Sequence, residues 1–420
     1  LAFDPNNNRY LLLIKNVVSD PEPDSQTWAQ IVECDGTPYS SPVLVSQSTS
    51  FDGEPRAAYD PTNRRFLVAF QRVPIYDIYG QFVDEEGNLV TRGGAPGTDN
   101  FPIAAYDDSQ RGPAVAHDDV NGRFLVAWTD DRNDPGIGDV HEQLLNAADG
   151  AFIGPEVVVA SGSGNQFVPA VSFNPTDQVY LVTWDDGRVA GTGFDIFGQL
   201  VNANGQLVQR GTLAAGADNF AVSDDAGPND QRISAIAYAP TGNRFLTVWR
   251  DMRSGMDNDI YGQFVGTSGL VTRGGAAGND NFPIATTGNN IEPDIAFNTA
   301  RGEFLAVWND DRNGPLLFDV YGQYLNPGGT PNGGNFLIYS DVAQYSGPHV
   351  EANSVVGNFL TAFFAVDGGA PELALQLVGG PCEQTITTSV PTMTQWGFAV
   401  FSIILAGSAV WMMRRKRHVR

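Results

Sequence analysis

A motif of tryptophan, aspartate and arginine recurs four times in the chain. Each copy reads Trp-x-Asp-x-Arg, and a further aspartate follows ten or eleven residues after the tryptophan. The copies are Trp128/Asp130/Arg132 with Asp139, Trp184/Asp186/Arg188 with Asp195, Trp249/Asp251/Arg253 with Asp259, and Trp308/Asp310/Arg312 with Asp319. A guanidinium pairs with a carboxylate through two parallel hydrogen bonds, and aspartate also accepts hydrogen bonds from turn amides. We therefore predict structural clamps in which Arg bridges the ends of two strands and Asp holds the turn.

A divalent cation is the alternative interpretation of these acids. Calcium prefers clustered oxygen ligands, and the loop Asp130–Asp139 offers several of them. The chain contains no Asp-x-Asp-x-Asp-Gly loop, however. The motif also occurs four times, whereas an active site is built once in a molecule. The clamp is the preferred interpretation, no cofactor is expected, and calcium stays the alternative.

Catalytic motifs are missing from the sequence. The four histidines, His117, His141, His349 and His418, are far apart and form no His-Glu-x-x-His pair. Neither a Gly-x-Ser-x-Gly elbow nor a phosphate-binding loop is present. A hydrolase with paired carboxylates stays open, because the chain holds 48 Asp and Glu residues and no pair stands out. We predict no catalytic residue, and we expect the recurrent Trp and Tyr side chains to be core residues and not sugar platforms.

The elements that position these residues belong to seven copies of one module. Each copy is centred on an aromatic-Leu pair, and successive pairs lie 55 to 65 residues apart. The pairs are Tyr10-Leu11, Phe66-Leu67, Phe124-Leu125, Tyr180-Leu181, Phe245-Leu246, Phe304-Leu305 and Phe359-Leu360. A short strand and a turn precede each pair. A third strand ending in Gln and a fourth strand after a Gly turn follow in most copies, as in Asp259–Gln263 and Asn281–Ala285.

Four short strands in about 57 residues, repeated seven times with no amphipathic helix, are typical of a β-propeller. The second strand is apolar without alternation, as a strand covered on both faces requires. A row of β-sandwich modules is the alternative, but such domains need about 100 residues each. The first module begins within its first strand, and the last stops after its third strand, Leu373–Val378. We read the chain as a fragment whose export signal lies upstream.

The repeat resembles the propeller modules of TolB-like periplasmic proteins, in which an Asp-x-Arg stretch also precedes Asp-Ile-Tyr at the start of the next strand. This resemblance covers about 25 residues of each module and concerns the fold, because a fold does not carry a function with it.

The net charge of the propeller limits the classes of partner that it can bind. The last 25 residues hold five of the 24 Lys and Arg residues and none of the acids, which leaves residues 1–395 with a net charge of −29. Nucleic acid binding needs a cationic surface, so this composition excludes it as a partner. An acidic body suits solubility, cation binding or residence in a polyanionic matrix.

The chain ends in a segment with the features of a membrane span. The uncharged stretch Trp396–Met413 has 18 residues and would span about 27 Å as a helix, close to the bilayer core of about 30 Å. A basic cluster follows and should stay cytoplasmic, which places everything before it outside the inner membrane. Its residues are Arg414, Arg415, Lys416 and Arg417.

Before this span, residues 390–397 resemble the IPTL-CTERM class of bacterial C-terminal sorting signals. The matching residues are Val390, Pro391, Thr392, Met393, Trp396 and Gly397. Val390 stands where the family has Ile, and Met393 where it has Leu. The resemblance implies recognition by an exosortase-type membrane transpeptidase, cleavage near the motif, and delivery to the surface or extracellular matrix of a Gram-negative bacterium. An ordinary single-pass anchor is the alternative.

The two cysteines, Cys34 and Cys382, flank the repeat array. The first and last blades of a closed propeller are neighbours, and the expected compartment is oxidising, so we predict a disulfide between them. Two thiols without this bond are the alternative.

These observations give one expected organisation. Residues 1–379 form an all-β, seven-bladed β-propeller, residues 380–389 a linker, 390–397 the sorting motif, 396–413 a transmembrane helix and 414–420 a basic cytoplasmic tail. The expected role is a non-catalytic binding or structural protein of the surface or matrix. Its expected partners are the exosortase, the inner membrane before processing, and an extracellular polysaccharide or another surface protein. An extracytoplasmic enzyme on a propeller scaffold, such as a polysaccharide hydrolase or lyase, is the alternative.

Overall fold

The structure is a computed structural model that describes residues 1–19, 23–46, 52–72, 76–133, 136–189, 193–223, 229–314, 318–342, 347–367 and 370–379. In this part of the chain, no helix is long and apolar enough to cross a bilayer. The predicted linker, sorting motif, transmembrane helix and basic tail lie outside the described residues. So does Cys382, and the predicted disulfide therefore stays a prediction.

The described strands form six antiparallel sheets, one of which holds two blades, and we number the seven blades 1 to 7 in chain order. Blade 1 contains β1 (Ala2–Asp4), β2 (Arg9–Ser19), β3 (Pro23–Glu33) and β4 (Val43–Leu44). Blade 2 contains β5 (Asp52–Asp60), β6 (Arg65–Arg72), β7 (Asp77–Asp84), β8 (Leu89–Val90) and β9 (Phe101–Ala104). Blade 3 contains β10 (Gln110–Asp118), β11 (Arg123–Asp130), β12 (Asp139–Asn146) and β13 (Phe152–Ala160). Blade 4 contains β14 (Gln166–Asn174), β15 (Val179–Asp186), β16 (Asp195–Asn202), β17 (Leu207–Val208) and β18 (Phe220–Ala221).

The remaining blades follow the same order. Blade 5 contains β19 (Gln231–Ala239), β20 (Arg244–Asp251), β21 (Asp259–Gly266), β22 (Gly269–Val271) and β23 (Phe282–Ala285). Blade 6 contains β24 (Asn290–Asn298), β25 (Glu303–Asp310), β26 (Phe318–Leu325) and β27 (Pro331–Val342). Blade 7 contains β28 (His349–Asn353), β29 (Asn358–Asp367) and β30 (Ala370–Val378), and one bridge between Val342 and Ala365 joins it to blade 6. The predicted all-β, seven-bladed propeller is confirmed.

The first strand of each blade lies at the centre of the ring. These strands contact one another in chain order, and β28 of blade 7 contacts β1 of blade 1, so the ring closes. Most first strands end at a buried Asp or Asn that accepts hydrogen bonds from the next turn. Asp60 Oδ1, for example, accepts the amide protons of Thr62 at 2.9 Å and Asn63 at 3.2 Å. These Asx turns send the chain back into the second strand.

The second strands are buried on both faces, as their continuous apolar runs predict. In β11 every side chain from Phe124 to Asp130 is buried. Their Trp side chains pack between neighbouring blades, and Trp128, Trp184, Trp249 and Trp308 are each 0% exposed. The prediction that these Trp residues belong to the core is therefore confirmed.

Side-chain packing closes the seam between blades 1 and 7. Leu12 and Val32 of blade 1 pack with Leu360 and Leu375 of blade 7, and Cys34 lies at the margin of this cluster. Asn353 Nδ2 donates a hydrogen bond of 2.6 Å to Asn8 Oδ1 across the same seam. In the part of blade 7 that the structure describes, the predicted third strand corresponds to β30.

Candidate functional site

Each Trp-x-Asp-x-Arg motif folds into a turn whose Asp is saturated with hydrogen bonds. In blade 4, Asp186 accepts Trp184 Nε1 at 2.6 Å and three bonds from Arg188: its amide at 2.9 Å, Nε at 2.8 Å and Nη2 at 2.6 Å. The copies in blades 3, 5 and 6 repeat this set of four donors. All four Asp side chains are 0% exposed. The clamp is thus closed inside one turn, because Arg pairs with the Asp two residues before it.

The Arg of the motif also reaches the neighbouring strand. Arg253 lies over the ring of Tyr261 at 4.1 Å and donates a hydrogen bond of 3.3 Å to Asn281 Oδ1. Arg188 makes the same pair of contacts, with Phe197 at 4.6 Å and Asn219 at 3.3 Å. These contacts place the guanidinium between strands three and four, where it serves as a structural cross-link.

The later acids lie at the start of the third strands, next to the motif turns. Asn133 Nδ2 donates to Asp139 Oδ2 at 2.9 Å, and Asn313 Nδ2 donates to Asp319 Oδ2 at 2.5 Å. In blade 5, burial raises the pKa of Asp259 to about 6, the charges of Asp251 and Asp257 add to the rise, and Arg253 opposes it. Asp195 begins β16 and is likewise buried.

Blade 3 departs from this arrangement. Its third strand carries His141 and Glu142 where blades 2, 4, 5 and 6 have an aromatic residue and Gly. Glu156 of β13 lies beside them. It accepts Arg132 Nη2 at 2.9 Å, and its Oε1 lies 2.6 Å from His141 Nδ1. Arg132 lies over the ring of Tyr106 of the preceding segment at 3.6 Å.

Asp130, His141 and Glu156 are the described residues whose ligand atoms lie close enough to hold a metal ion, within 4.8 Å of one another. The Arg132 guanidinium already lies between the two carboxylates. Burial opposes ionisation of Asp130, but bonds from Arg132 and Trp128 hold its pKa below the ordinary value. A histidine nitrogen and a fixed cation do not suit calcium, which needs six to eight oxygen ligands. Calcium therefore stays a prediction without a matching donor set in this cluster.

Glu142 lies on the opposite face of β12 from His141. Its side chain is 1% exposed, and neither carboxylate oxygen has a hydrogen-bond partner. Burial raises its pKa to about 8, and the charge of Glu156 adds to this rise. Burial therefore favours the protonated form of Glu142 in the folded protein.

The first strands enclose a central channel that contains a cavity of about 490 Å³. All seven blades contribute to its wall. Six aromatic side chains form a ring in it, one from each of blades 1 to 6: Phe3, Tyr59, His117, Phe173, Tyr238 and Phe297. Each packs on the aromatic residue of its own second strand, with ring centroids 4.7 to 5.5 Å apart. We call these six residues the aromatic ring.

One ionisable side chain of blade 7, Glu351, lines the cavity, and Asp294 of blade 6 lies near it. Burial raises the pKa of Glu351 to about 7, and the charge of Asp294 adds to this rise. Asp294 Oδ2 lies 3.3 Å from His349 Nδ1 and accepts the Val350 amide at 3.0 Å. The sequence analysis missed this group, although aligning the first strands of the seven modules would have shown that the charges depart from the repeat.

A second network that the sequence analysis missed links neighbouring blades. The recurrent Gln was predicted to end the third strand, but it lies inside that strand, as Gln263 does in β21. In several blades this Gln accepts a hydrogen bond from an Asn Nδ2 of the same blade, and that Nδ2 also donates to a backbone oxygen of the preceding blade. In blade 5, Asn281 donates to Gln263 Oε1 at 2.9 Å and to the carbonyl of Val222 at 3.1 Å. Equivalent links start from Asn100, Asn219 and Asn335. The recurrent Gln and Asn were visible in the sequence as the signal for this network.

Comparison with known families covers only the tail. A family model described as the IPTL-CTERM motif matches residues 388–415. This supports the resemblance at 390–397, whose residues lie outside the described part of the structure. A search of the curated proteins gave no match.

Several solved propeller structures are similar in fold. They include an endo-arabinase from Bacteroides thetaiotaomicron VPI-5482, with 11% identity over 64% of this chain and 94% of that chain and a TM-score of 0.39. The Dos1 propeller has 10% identity over 92% and 84% with a TM-score of 0.46, and the Hadza microbial sialidase Hz136 has 9% over 76% and 68% with 0.44. At identities and scores this low, the similarities say nothing about activity.

Proposed function

We propose that this protein is an exported β-propeller, sorted to the cell surface or extracellular matrix, that serves as a non-catalytic binding or structural platform. An exosortase-type transpeptidase processes its tail after export. Before processing, a helix at 396–413 holds the chain in the inner membrane with the propeller outside. The match of the IPTL-CTERM motif to residues 388–415 carries this proposal.

The geometry of the repeated motifs supports a platform and not an enzyme. The four buried Asp residues accept hydrogen bonds from the Trp and Arg side chains of their own turns, as in blades 4 and 5. An acid bound in this way is not available to a substrate. The same turn recurs from blade to blade, so its role is to stiffen the ring.

An extracytoplasmic polysaccharide hydrolase or lyase is the second candidate. The observation that favours it is Glu351, which faces the channel from one blade and has a pKa of about 7, suited to proton transfer near neutral pH. Release of new sugar ends from a polysaccharide by the wild-type protein, abolished by Glu351→Gln, would favour this candidate.

Sorting is tested on the protein made in a bacterium with a working exosortase. Mass spectrometry of surface-extracted protein should find a C-terminus upstream of Trp396. Pro391→Ala should leave the tail intact and the protein in the inner membrane. Pro381→Ala, outside the motif, is the matched control and should be processed normally. Surface protein that retains the chain through Arg420 would contradict the proposal.

A further inference from the structure

The wall of the central channel is regular in six blades and irregular in the seventh. Strand pairing fixes the equivalent positions, because each aromatic-ring residue lies opposite the aromatic residue of its second strand. In blade 7 the residue opposite Phe359 is Ala352, so the ring lacks its seventh member. Ala352 follows Glu351 in β28, and both residues line the cavity.

Glu351 also departs from the pattern. The residues at its position in the other six blades are small: Ala2, Ala58, Ala116, Ser172, Ala237 and Ala296. A carboxylate therefore stands where the repeat specifies a methyl or hydroxymethyl group, and it lines the cavity. Blade 7 thus differs from the other six blades at two adjacent positions, because it has a carboxyl group at Glu351 and lacks an aromatic side chain at Ala352.

The cavity is acidic as well as aromatic. Its described lining includes the carboxylates of Asp119 and Glu351 and no Lys or Arg. Asp294 lies close enough to Glu351 to raise its pKa. His117 adds no charge at neutral pH, because burial lowers its pKa despite the nearby carboxylates, of which Asp60 has the largest effect. An anion would meet repulsion from Asp119 and Glu351 in the lining, whereas a cation could pair with them. Arg56 lies outside this lining, although its charge is near enough to lower the pKa of His349.

We propose that this cavity binds an organic ammonium group carried on a ring-shaped or apolar body, with Glu351 as its ion-pair partner and the aromatic ring as its wall. This inference rests on the proposed binding function and names the ligand class for it.

The physical chemistry of the wall supports this ligand class. Aromatic side chains attract ammonium groups electrostatically and also pack on apolar ligand surfaces. The cavity volume falls in the range of about 300–1,000 Å³ that is common for small-molecule sites. The net charge of −29 over residues 1–395 would draw cations toward the channel from solution. Amino sugars and polyamines share this ammonium chemistry.

Three probes separate the sources of the ammonium group. Surface-extracted wild-type protein is titrated at about pH 7 in a calorimeter with glucosamine, with the neutral N-acetylglucosamine and with spermine. The proposal expects one glucosamine bound per chain, at least about tenfold more tightly than its acetylated form. Binding of spermine as well would show that the ammonium group suffices. Its absence would show that the sugar ring is also required.

Two channel variants and one control test the site. Glu351→Gln keeps the side-chain volume and should weaken binding about tenfold or more. Ala352→Phe completes the aromatic ring, fills the gap and should also weaken binding. Glu86→Gln removes an exposed acid in a turn of blade 2 and should leave binding unchanged. Circular dichroism checks that each variant is folded.

Two results would overturn the inference. The first is equal affinity for glucosamine and N-acetylglucosamine, or no binding of any of the three probes. The second is binding that Glu351→Gln and Glu86→Gln weaken alike, which would show diffuse attraction to an acidic surface. If only the inference fails, mass spectrometry would still find a processed, surface-sorted protein that does not bind the ammonium ligand selectively. If the proposed function fails, mass spectrometry would find the tail uncleaved.

Discussion

Blade 3 and blade 5 are built from the same repeat but differ in the side chains that pack between their third and fourth strands. In blade 5, Gly262 lies beneath Phe282, and a Cβ at Gly262 would lie 3.2 Å from the Phe282 Cζ. In blade 3, Val157 pairs with Glu142 at the corresponding site. The Gly and the Phe are thus one unit of the repeat. Where the Phe is lost, the freed space accommodates a longer side chain, here a carboxyl without a partner.

The same two blades differ around the Arg of the motif. Arg253 of blade 5 hydrogen-bonds one carboxylate and one amide, from Asp251 and Asn281. Arg132 of blade 3 lies between two carboxylates, Asp130 and Glu156. The Asp-Arg turn is therefore the same in both blades, whereas the outer partner of Arg differs. Substitutions in blade 3 should therefore behave differently from those in the regular blades.

The largest difference is expected when the Asp of the motif is removed. Asp310→Ala in blade 6 leaves Arg312 and the Trp308 indole without their buried acceptor, and should lower the free energy of unfolding by about 3–5 kcal/mol. Asp130→Ala in blade 3 should cost less, because Glu156 still accepts Arg132. Chemical denaturation of both variants measures this difference. Equal losses would show that Glu156 contributes nothing to the clamp.

Glu142→Gln tests the buried carboxyl that only blade 3 has at this position. The folded-state pKa of Glu142 is raised to about 8, above the ordinary 4.5, so the folded protein binds its proton more tightly than the unfolded chain does. Its contribution to stability is full at and below about pH 4.5 and is lost as the pH rises to about 8. The variant does not titrate there, so its advantage over wild type should grow by at most about 1.4 kcal/mol per pH unit and then level off.

Thermal or chemical denaturation between pH 4 and 9 measures this advantage. Glu86→Gln, which changes an exposed carboxyl, is the control and should show no such trend. A constant difference between Glu142→Gln and wild type across this pH range would mean that Glu142 has an ordinary pKa.

Arg312→Ala should have the smallest of these effects. Removing the guanidinium leaves Asp310 with the Trp308 indole and the turn amide, and should cost about 1–3 kcal/mol, seen as a lower melting temperature. An unchanged melting temperature together with lost calcium binding would instead support the metal interpretation. The blade 3 counterpart, Arg132→Ala, frees Asp130, His141 and Glu156 and should gain zinc binding that Arg312→Ala lacks.

The repeat made much of the fold predictable from sequence. The spacing of the aromatic-Leu pairs gave the seven blades, and the apolar second strands gave the core, because burial on both faces leaves a pattern that a single strand reveals. The partner of Arg was harder to predict. An Asx turn curls Arg188 back onto Asp186, and this local geometry competes with the longer bridge across the hairpin.

The candidate sites could be predicted only in part, for a different reason. Glu156 and Tyr106 meet Arg132 from separate strands and segments, and no spacing in the sequence links them. Glu351 and Ala352 stand out only when they are compared with the equivalent residues of the other six first strands. Recurring residues in a repeat protein therefore predict its scaffold from the sequence. The positions at which one blade differs are identified only after the strand register has aligned the blades.

The seam between blades 1 and 7 would have a mechanical consequence if the proposed sorting holds the chain by its C-terminal end. A pull on that end enters the ring through β30, which is joined to β29 by nine residue pairs from Phe359↔Val378 to Asp367↔Ala370. The next junction in one direction is the seam, where side-chain packing and the Asn353–Asn8 bond resist opening. The predicted disulfide between Cys34 and Cys382 would transfer this force directly to blade 1. Less force would then act on the pairing of β30 with β29.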